Sequence, residues 1–391
     1  MVHRLTITAS DMHQINRSAI LEVIRRESPV SRTAIAQRLD ISLPTVMRIV
    51  EELMGEGFVR PQGSTEWSGG RRRPLLEFNA DSFVVIGVDL GGTRLYGAVS
   101  DFGGRILREM DMGRHGKFSE GNYKRLTELI DALLASPERG RRRVHGIGVG
   151  VPGITFHQEG VVKWAYSLNW REFPLKARLS RQYGLPITVD NDVNLAALGE
   201  LWFGAGQDIQ NMILLAGGTG IGAGIIIDGA LYRGSAEASG EVGNFIPGRE
   251  FLGRNYRDFG ALESVASGTA IAGRARSGPR GQKAPAMEDV FDAARQGQPW
   301  ARAIIDETVD YLAIAVGNLA VSFDPELIVL GGSMAAFSDL LIAPILRRIE
   351  GVLPTPPRLV PSRLGPRAAV MGAITNVLHN TSDFYVVHKL S

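Results

Sequence analysis

A strand, a glycine turn, a second strand and an Asp/Gly hairpin occur twice in this 391-residue chain, and no other feature restricts the fold as much. The first copy runs from Asp89-Leu90-Gly91-Gly92-Thr93 to Asp101-Phe102-Gly103-Gly104. The second runs from Gly217-Gly218-Thr219-Gly220 to Asp228-Gly229. Glycines let backbone N–H groups close on an anion, and a threonine hydroxyl adds a donor. One such turn is equally a plain hairpin, whereas two imply a duplicated, two-lobed fold with phosphate-cradling turns on either side of a cleft. Asp89, at the end of its strand, is placed to hold a hydrated Mg²⁺. Apolar runs at 84–88, 147–151, 213–216 and 327–330 alternate with helical stretches, which is an α/β pattern. The uncharged run 209–227 nearly reaches membrane-span length. Its glycines and the polar Gln210, Asn211 and Thr219 make it two buried strands around a turn instead.

Residues 1–80 differ in texture. Ile15, Ala19, Ile20, Val23 and Ile24 recur at helical spacing. Ser31 is placed to cap a second helix carrying Ala34, Ile35 and Leu39. Ser42 is placed to cap a third, with Pro44 in its first turn and a stripe of Leu43, Val46, Ile49, Val50 and Leu53. Gly55 and Gly57 end it. Phe58-Val59, a polar glycine turn over 62–70 and an apolar stretch over 75–78 add a two-stranded wing. Three helices and a hairpin read as a winged helix-turn-helix, or alternatively as a three-helix protein-interaction module. The short turn Asp40-Ile41 favours the former, since it lays the third helix in a DNA major groove. Ser42, Thr45 and Arg48 then face DNA, Arg48 either reading a guanine edge or touching phosphate. Arg71, Arg72 and Arg73, after Gly69-Gly70, suit a narrow minor groove or form a solvated turn. The expected organisation is a DNA-binding domain over 1–80 and an effector domain over 81–391. The effector's lobes are 81–190 plus the C-terminal helix, and 191–370.

The segment Val189-Asp190-Asn191-Asp192-Val193-Asn194 follows a strand and opens a helix. One aspartate would be enough for an N-cap. The alternative is that Asn191 and Asp192 grip vicinal hydroxyls while Asp192 accepts a proton from an attacking one. The chain has no cysteine, which excludes disulfides, thiolate metal sites and cysteine nucleophiles. Its histidines form no i,i+3 or i,i+4 pair, so no metal site is expected. A formal charge of +2 points to no partner by itself. The first residues lack an apolar signal segment, so a cytoplasmic protein without a membrane partner is expected.

Together with Gly150-Val151-Pro152-Gly153, Gly240-Glu241-Val242-Gly243, Leu330-Gly331-Gly332 and residues 369–372, these segments resemble the ROK family (repressors, open reading frames and sugar kinases) of the actin-like, two-lobed ATPase superfamily. The resemblance implies a winged helix-turn-helix followed by an actin-like sugar-kinase fold. It implies a nucleotide at Asp89, Gly91, Gly92, Thr93, Gly217, Gly218, Thr219, Gly331 and Gly332. It implies a sugar held by Asn191, Asp192, Glu241 and Glu263, with Asp192 as catalytic base if phosphotransfer survives. The family pattern departs at one stretch. Where Gly-Glu-x-Gly-His and Cys-x-Cys-Gly-x-x-Gly-Cys-x-Glu hold a structural zinc, this chain has Asn244, Arg254, Tyr256 and Ala261 in place of the ligands. No structural zinc is expected. Support is expected from Arg254 or Arg257 pairing with Asp258 or Glu250, over Tyr256 and Phe259. Asn244 also replaces a histidine that touches sugar, and Ser167-Leu168-Asn169-Trp170 replaces the family's Asn-Leu-x-Trp, leaving Ser167 or Asn169 as the sugar amide's successor. Trp164, Tyr166 and Trp170 can stack on a sugar face or pack in the core.

The functional expectation is a regulator, of repressor type, for carbohydrate genes. It binds operator DNA as a homodimer or tetramer and responds to a sugar or sugar derivative. The alternative is an active ATP-dependent sugar kinase with a DNA-binding head. No cofactor is required for the first, and ATP with Mg²⁺ for the second.

Overall fold

The computed structural model describes residues 9–68, 71–92, 94–114, 119–256, 260–275 and 285–381, and the described side chains leave out 9–11, 63–73, 114, 119 and 379–381. Helices α1 (Ala9–Glu27), α2 (Arg32–Leu39) and α3 (Leu43–Glu56) precede a hairpin of β1 (Val59–Ser68) and β2 (Arg71–Phe78). Ser31 and Ser42 cap α2 and α3, accepting the Ala34 and Thr45 N–H groups at 3.2 and 3.4 Å. Gly57, at φ 90°, ends α3 in the left-handed conformation that glycine adopts without strain. The stripe Val46, Ile49, Val50 and Leu53 is buried, as its spacing requires, whereas Ala34 and Ile15 face solvent. The wing is longer than the expected short strands. Pairing from Thr65↔Pro74 to Ser68↔Arg71 extends β1 and β2 through what the sequence suggested was a turn, so Arg71, Arg72 and Arg73 lie in a strand.

The first lobe is built on β3 (Phe83–Leu90), β4 (Arg94–Asp101), β5 (Ile106–Arg114), β6 (Arg143–Val151) and β10 (Ile187–Asn191), with α4 (Ser119–Leu134) and α5 (Leu175–Tyr183) packed on it. A small sheet of β7 (Ile154–Phe156), β8 (Val161–Ala165) and β9 (Trp170–Phe173) projects from it. After α6 (Asp192–Phe203) the second lobe has β11 (Met212–Gly217), β12 (Ile221–Ile227) and β13 (Ala230–Leu231). Next come α7 (Glu263–Ala266), α8 (Gly268–Ala275), α9 (Met287–Arg295), α10 (Pro299–Phe323), β14 (Leu327–Gly331), α11 (Ser338–Ile349) and β15 (Leu359–Pro361). The chain returns to the first lobe in α12 (Ala368–Thr381).

The two main sheets have one topology. Their orders are β10-β6-β3-β4-β5 and β13-β12-β11-β14-β15. In each, a glycine turn joins an antiparallel pair, β3/β4 or β11/β12, and two later strands add in parallel on the far side. The duplication read from the repeat is therefore real. Helices α6 and α12 cross almost backbone to backbone. A Cβ at Gly199 would strike the Ala368 carbonyl, and one at Gly372 would strike the Leu195 carbonyl.

One apolar core joins the N-terminal module to the first lobe. Ile20, Ile24, Val46, Ile49 and Leu53 belong to the same buried cluster as Val85, Val370, Met371, Ile374 and Val377. Phe58, Phe83, Phe102 and His145 interleave at the junction, with ring centroids 5.1–6.1 Å apart. Burial of each large apolar side chain there contributes about 1.5–3 kcal/mol, so the module is held rather than tethered. Among the described residues no helix is long and apolar enough to cross a membrane.

Candidate functional site

Strand β10 ends where it pairs Asn191 with Val151 of β6, and α6 begins at the next residue. Asn191 is the helix cap. Its Oδ1 accepts the N–H groups of Val193 and Asn194, both at 2.9 Å, and its Nδ2 donates to the Gly153 carbonyl at 3.0 Å. The carbonyl end of the amide expected to hold sugar is thus engaged by the helix. Asp192 Oδ1 accepts the Val193 N–H at 2.9 Å. Burial pushes the Asp192 carboxyl up to about 6, the Val193 hydrogen bond opposes this, and the Glu241 charge adds to it. Burial, and then the charge of Asp192, hold Asp89 well above the usual carboxylate range. Arg94, which opposes that shift, is itself paired with Asp111 at 2.8 Å.

Two more carboxylates complete this wall. Glu241 precedes a 3₁₀ turn over Val242–Asn244 and is raised by burial. Glu263, the first residue of α7, is raised to about 7, chiefly by burial, with a hydrogen bond from Ile221 opposing and Glu241 adding. Asn244 is exposed and donates to the Glu241 carbonyl at 3.3 Å. The structure thus joins Asp89, Asp192, Glu241 and Glu263 electrostatically and leaves Asn244 at the rim.

The glycine turns meet across the cleft. A Cβ on Gly92 would lie 3.7 Å from Ser167 and 3.9 Å from the Thr219 Cβ. Gly217 and Gly218 are backed by Gly332, whose Cα leaves no room for a side chain against the Gly217 carbonyl, and by Gly268, whose N–H donates to the Gly218 carbonyl at 2.7 Å. Gly331 pairs with Ala216 in the sheet. Gly91 adjoins Asp89, and Thr93 lies outside the described residues. These residues fit a nucleotide. The Asp89 Oδ1 is buried without a hydrogen-bond partner and suits a hydrated cation, and Gly91, Gly92 and residues 217–219 would hold phosphates. ATP bound there would supply a phosphoryl group.

The zinc-motif positions hold other contacts. Ala261 is buried, and Arg254 lies 6.0 Å from the Phe251 ring, which is 6.3 Å from Tyr256. Arg257, Asp258 and Phe259, expected to support this loop, lie outside the described residues. Among the described residues no group of three or more His, Cys, Asp or Glu could hold a metal ion. Trp170 is core, stacked on Phe173 at 4.3 Å, while Trp164 and Tyr166 are exposed. Asn169 is exposed in the left-handed region at φ 54°.

Sequence reasoning missed a charged network beneath the site. Fully buried Asp190 accepts a bidentate pair from Arg233, at 3.0 and 2.7 Å, and also accepts the Asn191 N–H at 2.8 Å. Arg233 reaches Glu237 at 3.5 Å, and Glu237 meets His157 Nδ1 at 2.7 Å. Asp190 and His157 belong to the first lobe and Arg233 and Glu237 to the second, so the network crosses between them. The only local signal was a third polar residue at the end of an apolar strand.

On the N-terminal module, Ser42 Oγ lies 2.8 Å from Thr45 Oγ1 at the exposed start of α3. Arg48 is exposed but engaged, donating to Glu52 at 3.0 Å and lying 3.2 Å from His13 Nδ1. The side chains of Arg71, Arg72 and Arg73 are outside the described set.

Comparison with known proteins agrees with this architecture. The ROK family profile matches residues 85–379, and a winged helix-turn-helix DNA-binding profile matches residues 14–60. The chain belongs to the ROK family. It is 30% identical to a xylose repressor of Caldicellulosiruptor bescii over 95% of this chain and 98% of that protein. It is 35% identical to a glucokinase of Halalkalibacterium halodurans over 68% of this chain and 84% of that protein. Among solved structures, a ROK family transcriptional regulator homologous to the E. coli MLC protein aligns with TM-score 0.83 at 26% identity. That alignment covers 95% of this chain and 98% of the other.

Proposed function

We propose that this ROK protein is a DNA-binding transcriptional repressor of sugar-metabolism genes whose cleft is its effector site. Similarity to xylose repressors over nearly the whole chain supports a pentose as the first candidate effector. The observation that carries the reading is continuity between cleft and head. Asp192 starts α6, and near the other end of that 12-residue helix, about 15 Å away, Trp202 lies 5.9 Å from the Arg25 guanidinium of α1. Helix α12, locked on α6, shares the apolar core of the head. A sugar bound differently by two lobe arrangements shifts operator affinity by the ratio of its two affinities, and one bound equally by both shifts nothing. The active species is a cytoplasmic homodimer or tetramer, matching the two-fold symmetry of an operator. Asn191, Asp192, Glu241, Glu263, Ser167 and the rim residue Asn244 line the sugar; Ser42, Thr45, Arg48 and the β2 arginines face DNA.

Fluorescence anisotropy on operator fragments, with xylose and glucose titrated in, tests this: sugar-dependent release without ATP consumption supports the repressor. The carboxyl of Asp192, raised to about 6 and positioned as a base, favours a second reading in which phosphotransfer persists. Sugar-dependent ATP consumption lost in Asp192→Asn would establish it.

A further inference from the structure

Building on the sugar-cleft reading, we propose that the cleft continues outward into a second saccharide subsite, so that a disaccharide or short oligosaccharide binds more tightly than the monosaccharide that fills the inner site. A recess of about 330 Å³ is lined by Trp164, Tyr166, Asn169 and Arg171. Trp164 is 40% and Tyr166 43% exposed, while Trp170 beside them is 1% exposed. The sequence thus spends one aromatic on the core and leaves two at the surface. A pyranose ring has apolar C–H faces and a polar hydroxyl edge. It is recognised by aromatic faces with directional donors and acceptors beside them, which is the chemistry of this recess.

The platform is fixed in place. Trp164 on β8 pairs directly with Arg171 on β9, and the guanidinium lies 5.5 Å from the indole ring. That contact steadies the indole and holds N–H donors beside it. Asn169, held in the left-handed turn between Tyr166 and β9, brings an amide able to donate and accept.

Two links tie the recess to the cleft. Ser167, between Tyr166 and Asn169, meets Gly92 of the first glycine turn. The Trp164 carbonyl packs on Gly153, where no Cβ would fit, and the Gly153 carbonyl holds the Asn191 amide. The loop that presents Ser167 inward therefore presents Tyr166 and Asn169 outward. The sequence treated Ser167 and Asn169 as alternatives for one sugar contact. In the structure they serve two neighbouring places, and a ligand touching both is longer than one ring.

Isothermal titration of the full chain with glucose and xylose, against cellobiose, maltose and xylobiose, tests the inference. At least one disaccharide is expected to bind about tenfold tighter than its monosaccharide. Trp164→Ala and, off the strands, Tyr166→Ala remove that gain and leave monosaccharide affinity unchanged; Trp164→Phe restores most of it. Monosaccharide binding with no disaccharide gain overturns this inference alone. So do variants that change only the oligomeric mass in size-exclusion chromatography, which would make the aromatics a contact between copies. Absence of binding by every sugar overturns the cleft reading along with it.

Discussion

Asp190 and Asp192 are two residues apart, both lie at the junction of β10 and α6, and their surroundings are opposite. Asp190 is fully buried and answered by a bidentate arginine and a backbone N–H. Asp192 accepts the Val193 N–H, faces Asp89 and Glu241, and has its carboxyl pushed up to about 6. A buried charge answered by a cation fixes geometry, whereas a carboxyl set among other carboxyls is placed to take a proton or a ligand. The strand end is the anvil of the site and the helix start its working face.

The largest test of that contrast removes the answer to Asp190. Arg233→Ala leaves a buried charge uncompensated and is expected to cost about 3–5 kcal/mol in urea denaturation. A loss no larger than that of a surface ion pair would mean that the two aspartates do not differ. Next, Asp192→Asn is expected to keep the fold and abolish stabilisation by sugar, a loss of about 2.7 kcal/mol at a ligand concentration of 100 times Kd. Retained ligand-induced shifts in Tm would make Asp192 structural.

A smaller effect follows from protonation. Asp192 and Glu263 bind protons more tightly when folded than when unfolded, so their contribution favours folding at low pH and is lost as pH rises from the ordinary carboxylate range to about 7. Denaturation curves between pH 5 and pH 8 should flatten in Glu263→Gln, and an unchanged slope would contradict the burial argument. The smallest effect is at the rim of the Asp190 network. His157→Ala removes the partly exposed partner of Glu237 and is expected to cost about 1 kcal/mol or less by the same denaturation assay.

What was legible in the sequence was local or repeated. Ser31 and Ser42 cap helices through bonds spanning three residues, and the glycine turns recur in two sheets of one topology. The strand-to-helix step at 191–192 was readable because polar crowding at a helix start is local too. Arg233 was not, since it meets Asp190 across 43 residues of chain and nothing near either residue specifies the other. Nor was the wing's length, because polar residues 62–68 enter a strand only when a partner strand supplies the hydrogen bonds. For the 190–194 segment the sequence left helix capping and sugar contact both open; Asn191 is the cap, a choice among several polar residues that depends on rotamers spacing does not encode.

The interleaved rings of Phe58, Phe83, Phe102 and His145 have a practical consequence. Severing the chain near residue 80 would not yield two finished pieces but two with raw, greasy faces prone to aggregate. Swapping in a foreign reading head to redirect such a regulator therefore requires transplanting the seam as well, with its aromatic contacts and the matching side of the last helix.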